Sequence, residues 1–187
     1  MDNIMLIKNI LSLIGENPGR PGLLDTPKRT LESWKFLFSG YAKDPKEIFT
    51  TFDSEGYDEI ICLKNCEFFS MCEHHLLPFF GKAHIAYIPK KGGSIIGISK
   101  LARLMEIYSR RLQIQERLGN QIVQDLMKYL QCKGAACIIE ASHLCMRMRG
   151  VEKQNSIMVT SSLKGVFLEQ TKKGHAARNE LMQLIKL

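Results

Sequence analysis

Cys72-Glu73-His74-His75 and His143-Leu144-Cys145 lie far apart in the chain, yet each sets a thiol within three residues of an imidazole. If both clusters serve one ion, the fold must bring them side by side, and few topologies do so. Cys72 and His75 have the C-x-x-H spacing that lets a thiolate and an imidazole converge. His143 and Cys145 are read as lying in a strand, where alternation points both to one face. Two thiolates and one imidazole with an open fourth position is the pattern of catalytic zinc, whereas structural zinc usually has four protein ligands. The competing metal reading is a closed four-ligand site that uses His74 or His143 as well. A zinc nucleobase deaminase needs H-x-E with P-C-x-x-C, and this chain has neither. With three ligands on the ion, two histidines stay beside it, suited to proton transfer. Plain packing is the bland alternative, since cysteine is often a small buried hydrophobe. That is the expectation for Cys62, Cys66, Cys132 and Cys137.

The hydrophobic period switches along the chain. Ile4, Ile7, Ile10, Leu11 and Ile14 recur at helical spacing, and Gly15 with Pro18 ends the run. Thr26 and Pro27 are expected to cap and open a second helix with Leu31, Trp34 and Phe38 on one face. Residues 1–57 thus form an N-terminal helical segment, the last part of it a connector. From Asp58 the period is two: Ile60, Cys62 and Phe68 mark one strand, and Ala83, Ile85 and Tyr87 a second. Gly92-Gly93 then turns the chain. Two helices follow, one capped by Ser99 with Leu101, Leu104, Met105, Tyr108 and Leu112 inward. The other carries Leu118, Ile122, Val123, Leu126 and Leu130 and closes at Gly134. Two more strands are expected near 135–149 and 156–168, then a last helix over about 176–185. Residues 58–187 therefore read as one α+β domain of ββ-αα-ββ order, an antiparallel sheet with helices on one face.

The 187 residues carry 26 Lys and Arg against 19 Asp and Glu, a net charge of +7. That excess calls for an anionic partner. No apolar run approaches the ~20 residues of a membrane helix. The first residues lack a cationic start and a small-residue cleavage site, so no secretory signal is read and six cysteines do not imply a disulfide framework. Ser99-Lys100-Leu101-Ala102-Arg103 opens a helix, whose amides and dipole favour anions, and Arg149 follows shortly after Cys145. A few placed cations suit a polyphosphate better than a nucleic acid, which would want exposed aromatics interleaved with the basic residues. Arg110-Arg111 and Lys172-Lys173 read as solvated charge. Glu116 alone reads as a first-turn carboxylate complementing a helix dipole.

The stretches SMCEHHLLPFFGKAHIAYIPK, GISKLARLMEIYSRRLQIQERL and HLCMRMRGV, in this order, resemble the GTP cyclohydrolase I family. ENPGRPGLLDTPKR resembles that family's helical lead-in, so the likeness covers about residues 14–167. QTKKGHAARNELMQLI departs from the family's more usual acidic, threonine-bearing approach to the last helix. The resemblance implies the tunnelling fold and a cytoplasmic enzyme that opens the purine ring of GTP at C8. Formate and 7,8-dihydroneopterin triphosphate are the products, a first step toward folate or tetrahydrobiopterin. It also implies a decamer of two stacked pentamers with sites at subunit interfaces, and no nucleic-acid or membrane partner. Carried over by motif, Cys72, His75 and Cys145 hold Zn2+, and His74 and His143 move protons. Glu116 accepts hydrogen bonds from guanine, and Gln115 lines the same pocket. Ser99, Lys100, Arg103 and Arg149 face the ribose and triphosphate, with Arg29 reaching in from another subunit. The competing classes are a zinc-stabilised nucleic-acid binder and a pterin or purine enzyme of another reaction type, such as a reductase.

Overall fold

The computed structural model describes residues 2–186. The chain divides into two compact units, Met1–Ser39 and Gly40–Leu187. In the first, α1 (Asn3–Leu13) is capped by Asp2, whose carboxylate accepts from the Ile4 N–H at 3.0 Å. Helix α2 (Thr26–Leu37) does not start on a Thr26 cap. Asp25 holds that place, and its carboxylate turns to Arg29 one turn on, at 3.1 Å. Trp34 and Phe38 meet edge to face, as their i,i+4 spacing allows.

The second unit contains β1 (Thr51–Asp53), β2 (Ile61–Cys72), β3 (Pro78–Ile88), β4 (Ser94–Ile96) and α3 (Ile98–Ser109). It continues with β5 (Leu112–Gln113), α4 (Gln115–Leu130), β6 (Gly134–His143), α5 (Leu144–Arg147), β7 (Met158–Gly165) and α6 (Lys172–Lys186). The main sheet has the order β5-β2-β3-β6-β7. All its pairs are antiparallel except the two-residue parallel pair of β5 with β2. The long hairpins β2–β3 and β6–β7, joined through α3 and α4, are the ββ-αα-ββ order read from the sequence.

Alternation along β3 divides the core. Ala83, Ile85 and Tyr87 face Leu101, Leu104 and Met105 of α3 and Leu118, Ile122 and Leu126 of α4. Each fully buried Leu, Ile or Met of this set contributes ~1.5–3 kcal/mol. Ala86 and Ile88 face the other way, onto Phe167, Ala177 and Leu181. The helix pair thus covers one face, as expected, and α6 packs on the opposite one. Thr171 caps α6 by accepting from the Gly174 N–H at 3.1 Å, so a threonine serves there despite the unusual approach sequence.

Three local expectations fail for identifiable reasons. Ser99 is not a cap: Gly97 takes that place and Ser99 lies exposed inside the first turn. Gly134 does not end α4. Gln131, in the left-handed region at φ +48, ends it, and Gly134 opens β6 where a Cβ would meet Val166 Cγ1 at 2.8 Å. Arg111 is not a solvated charge. Its Nε donates to Gly40 O (3.1 Å) and Ile107 O (3.2 Å), and its guanidinium lies over the Tyr108 ring at 4.9 Å. Among the described residues no helix is long and apolar enough to cross a membrane.

Candidate metal centre and its cavity

The turn between β2 and β3 is closed by Cys72 itself. Its N–H donates to Leu77 O and its C=O accepts from Leu76 N–H, both at 2.9 Å. Leu76 sits in the left-handed region at φ +53, a conformation that costs a non-glycine residue about 1–2 kcal/mol. This tight turn carries His75 back over Cys72, where Nδ1 lies 3.8 Å from Sγ. The turn is also tied to the helix pair. Glu73 forms an ion pair with Arg117 of α4, and its N–H donates to Gln113 O at 3.1 Å. Arg117 Nε donates to Gln113 Oε1 (3.2 Å), and Gln113 Nε2 donates to Tyr108 O (3.0 Å) and Gln121 Oε1 (2.7 Å). Gln113 is buried at 1% exposure, while the Arg117–Glu73 pair at the other end of the network is partly open to solvent. Nothing in the local pattern of the sequence announced it.

Cys145 arrives by a route the alternation argument did not foresee. Strand β6 ends at His143, and Leu144 starts a single helical turn. His143 and Cys145 are therefore not same-face strand neighbours. The helical turn nevertheless swings Cys145 into the cluster: one ligand atom each from Cys72, His75 and Cys145 lie within 4.8 Å of one another. Cys72 is buried, Cys145 half-buried and His75 exposed, which leaves one side of the triplet open. Burial pushes the Cys145 thiol up, and the adjacent Cys72 pushes it further. Two thiols so placed resist joint ionisation unless a cation compensates them, and a thiolate–thiolate–imidazole set suits a borderline-soft divalent ion such as zinc. Arg149 Nη1 lies 3.4 Å from His75 Nε2 at the open side.

A cavity of about 300 Å³ adjoins the cluster, lined by Ala141, His143, Cys145, Met146, Ile157 and Met158. That is the lower end of small-molecule pockets. His143 is half-buried and stacks flat on Phe79, with centroids 4.6 Å apart and planes 6° from parallel. Burial pushes its pKa down, partly opposed by the charge of nearby Glu116. His143 Nε2 meets Gln115 Oε1 at 2.8 Å. Gln115 is buried, and its Nε2 lies on Ile139 O, Met158 O and Thr160 Oγ1, so its side-chain polar atoms are all engaged inside the protein. Glu116, one position on, is exposed in the first turn of α4. His74 is also exposed, 6.2 Å from His75 ring to ring and 3.8 Å from the Glu73 carboxylate.

The remaining candidates stand elsewhere. Ser99, Lys100 and Arg103 occupy the first turns of α3. The other end of that helix leads into β5, which pairs with Met71 and Cys72. Twelve residues of helix separate the two ends by about 18 Å. Ser99 and Lys100 thus stand at the end of α3 remote from the cluster, and Arg103 near its middle. Arg29 lies on α2 of the N-terminal unit, paired with Asp25.

Together the fold and the site define an α+β protein in which three residues able to hold a metal ion converge beside a small cavity. The family model described as GTP cyclohydrolase I matches residues 4–186, and the chain belongs to that family. A protein of Wolinella succinogenes named GTP cyclohydrolase 1 is 54% identical over 181 residues, covering 96% of this chain and 94% of its own. A Campylobacter jejuni protein of the same name is 49% identical, covering 96% and 92%. One of Chlorobium chlorochromatii is 50% identical, covering 96% and 78%.

Proposed function

We propose that this chain is a GTP cyclohydrolase I. It takes GTP and water to formate and 7,8-dihydroneopterin triphosphate by opening the purine at C8. The observation that carries this reading is the convergence of Cys72, His75 and Cys145 beside a cavity, in a chain of this family. The donor set fits zinc, and a zinc ion held there supplies Lewis-acid activation of water. His143, in the cavity wall, and His74, at the exposed side, move protons to and from the purine nitrogens. Glu116 has a solvent-facing carboxylate in the first turn of α4 and accepts from guanine N–H groups. Arg149 meets the anionic part of the substrate next to His75.

Ser99, Lys100 and Arg103 serve the triphosphate of a neighbouring copy's site, and Arg29 reaches a site from another subunit. Two observations support a shared site. Lys100 lies in the first turn of α3, at the end remote from the cluster, and β7 is an end strand with Val159, and Ile157 just before it, each 62% exposed. Such an edge needs a covering partner. The assembly is a decamer of two pentamers in the cytoplasm, as the resemblance implies.

The test is to incubate zinc-loaded protein with GTP and read both formate and, after oxidation, pterin fluorescence. Equal amounts of the two products are expected from GTP and none from ATP. Zinc-replete protein that yields neither from GTP would overturn the reading.

A further inference from the structure

The Gln115 amide has an orientation that the surrounding strands dictate. Its side chain is 1% exposed, so each polar atom needs a partner within the protein. The amide nitrogen lies 3.0 Å from Ile139 O and 3.0 Å from Met158 O, with Thr160 Oγ1 at 3.1 Å. An amide NH2 has two protons to give, and two backbone carbonyls can only accept. Turning the amide over would set its own oxygen against both carbonyls. The nitrogen therefore faces β6 and β7, and Oε1 faces His143.

The consequence passes to the histidine. Oε1 can only accept, and it lies 2.8 Å from His143 Nε2. That ring nitrogen must then carry the proton. A neutral imidazole has one donor and one acceptor nitrogen, so Nδ1 is left as the base. The flat stack on Phe79 holds the ring plane, and among the described residues the His143 ring has no second hydrogen-bond partner.

We propose that Gln115 is a positioning residue that fixes the tautomer of His143, with Nε2 as the donor and Nδ1 as the nitrogen that exchanges a proton with substrate. This deepens the reading of His143 as a proton-transfer residue and rests on it. It also gives Gln115 a different task from its neighbour Glu116: Gln115 acts inward on the histidine, and Glu116 faces solvent. An imidazole free to switch tautomers would present the wrong nitrogen part of the time. An orienting partner of this kind is typically worth 10- to 100-fold in activity.

The test reads the tautomer directly in zinc-loaded, full-length protein labelled with 15N-histidine. Solid-state NMR at about pH 8, above the ordinary histidine range, separates protonated from unprotonated ring nitrogens, and His143→Asn assigns the signal. Wild-type protein should show Nε2 protonated and Nδ1 bare. Gln115→Met, which keeps the shape and removes the acceptor, should shift His143 toward a tautomer mixture. In that variant kcat for GTP should fall about 10- to 100-fold, with zinc content and KM little changed. A wild-type spectrum with Nδ1 protonated overturns the proposal even if no variant folds. An unchanged tautomer in Gln115→Met overturns it as well. Protein that holds the Nε2 tautomer yet never turns over GTP leaves the Gln115 tautomer lock standing and overturns the cyclohydrolase reading instead.

Discussion

Cys145→Ala is expected to release the metal while leaving the fold in place. Cys145 sits on a one-turn helix and is half-buried, so truncating it opens no deep cavity. Losing one thiolate from a set of three is another matter. Zinc sites with four ligands bind with about 10–16 kcal/mol in total, so one ligand is worth roughly 2.5–4 kcal/mol. Affinity should fall at least about 10²- to 10³-fold, readable by competition with a chromophoric chelator. Cobalt-loaded wild-type protein should show thiolate charge-transfer absorption that weakens in the variant. Product formation at limiting zinc should fall in parallel. Undiminished zinc affinity in Cys145→Ala would mean that other groups hold the ion.

His143→Ala is expected to do the reverse, keeping the metal and losing the chemistry. Nε2 is committed to Gln115, and the ring is not part of the Cys72–His75–Cys145 cluster. Removing a general acid–base group typically costs 10²- to 10⁴-fold in kcat, a barrier increase of about 2.7–5.4 kcal/mol. Zinc content should stay near that of the wild type. Loss of zinc would instead make His143 a ligand and favour the closed four-ligand site. The same pair of measurements on His74→Ala separates the two histidines, because His74 is exposed and its ring stands clear of the cluster.

The site was legible in its residues and not in the path that unites them. The C-x-x-H spacing and the H-x-C cluster named residues that the fold does bring together, Cys72, His75 and Cys145, because ligand chemistry is local. The geometry that unites them is not local. HLCMR alternates well enough to pass as strand, but the chain leaves β6 at His143 and turns helical at Leu144. The convergence of Cys145 with Cys72 was thus expected on a strand argument and achieved by a helical turn. Gln115 was named for the guanine pocket, but its contact with His143 was invisible for a related reason. Its partners Ile139, Met158 and Thr160 lie 24, 43 and 45 residues away, and only the packed hairpin β6–β7 brings them to α4. Glu73, Gln113 and Arg117 form a network of the same kind.

The fold divides likewise. The inward positions of α3 and α4 were readable because burial on one face imposes the 3.6 period, and those residues are the buried ones, except Leu112, which lies beyond the helix in β5 and is half-buried. Which face of the sheet α6 would cover was not readable. Ala177 and Leu181 mark an apolar stripe, but a stripe does not name its partner. Caps were misplaced at Thr26 and Ser99 because a good capping side chain is a preference, and the entering chain path decides the position.

The most direct measurement is a zinc titration into chelator-stripped protein, with formate from GTP followed at each step. The account predicts that stripped protein releases no formate. Activity should then rise in proportion to added zinc and level off at one ion per chain, and Cys145→Ala should show no such rise at the same zinc concentrations. Formate release by metal-free protein, or a wild-type titration in which one bound zinc per chain restores no turnover, would contradict it.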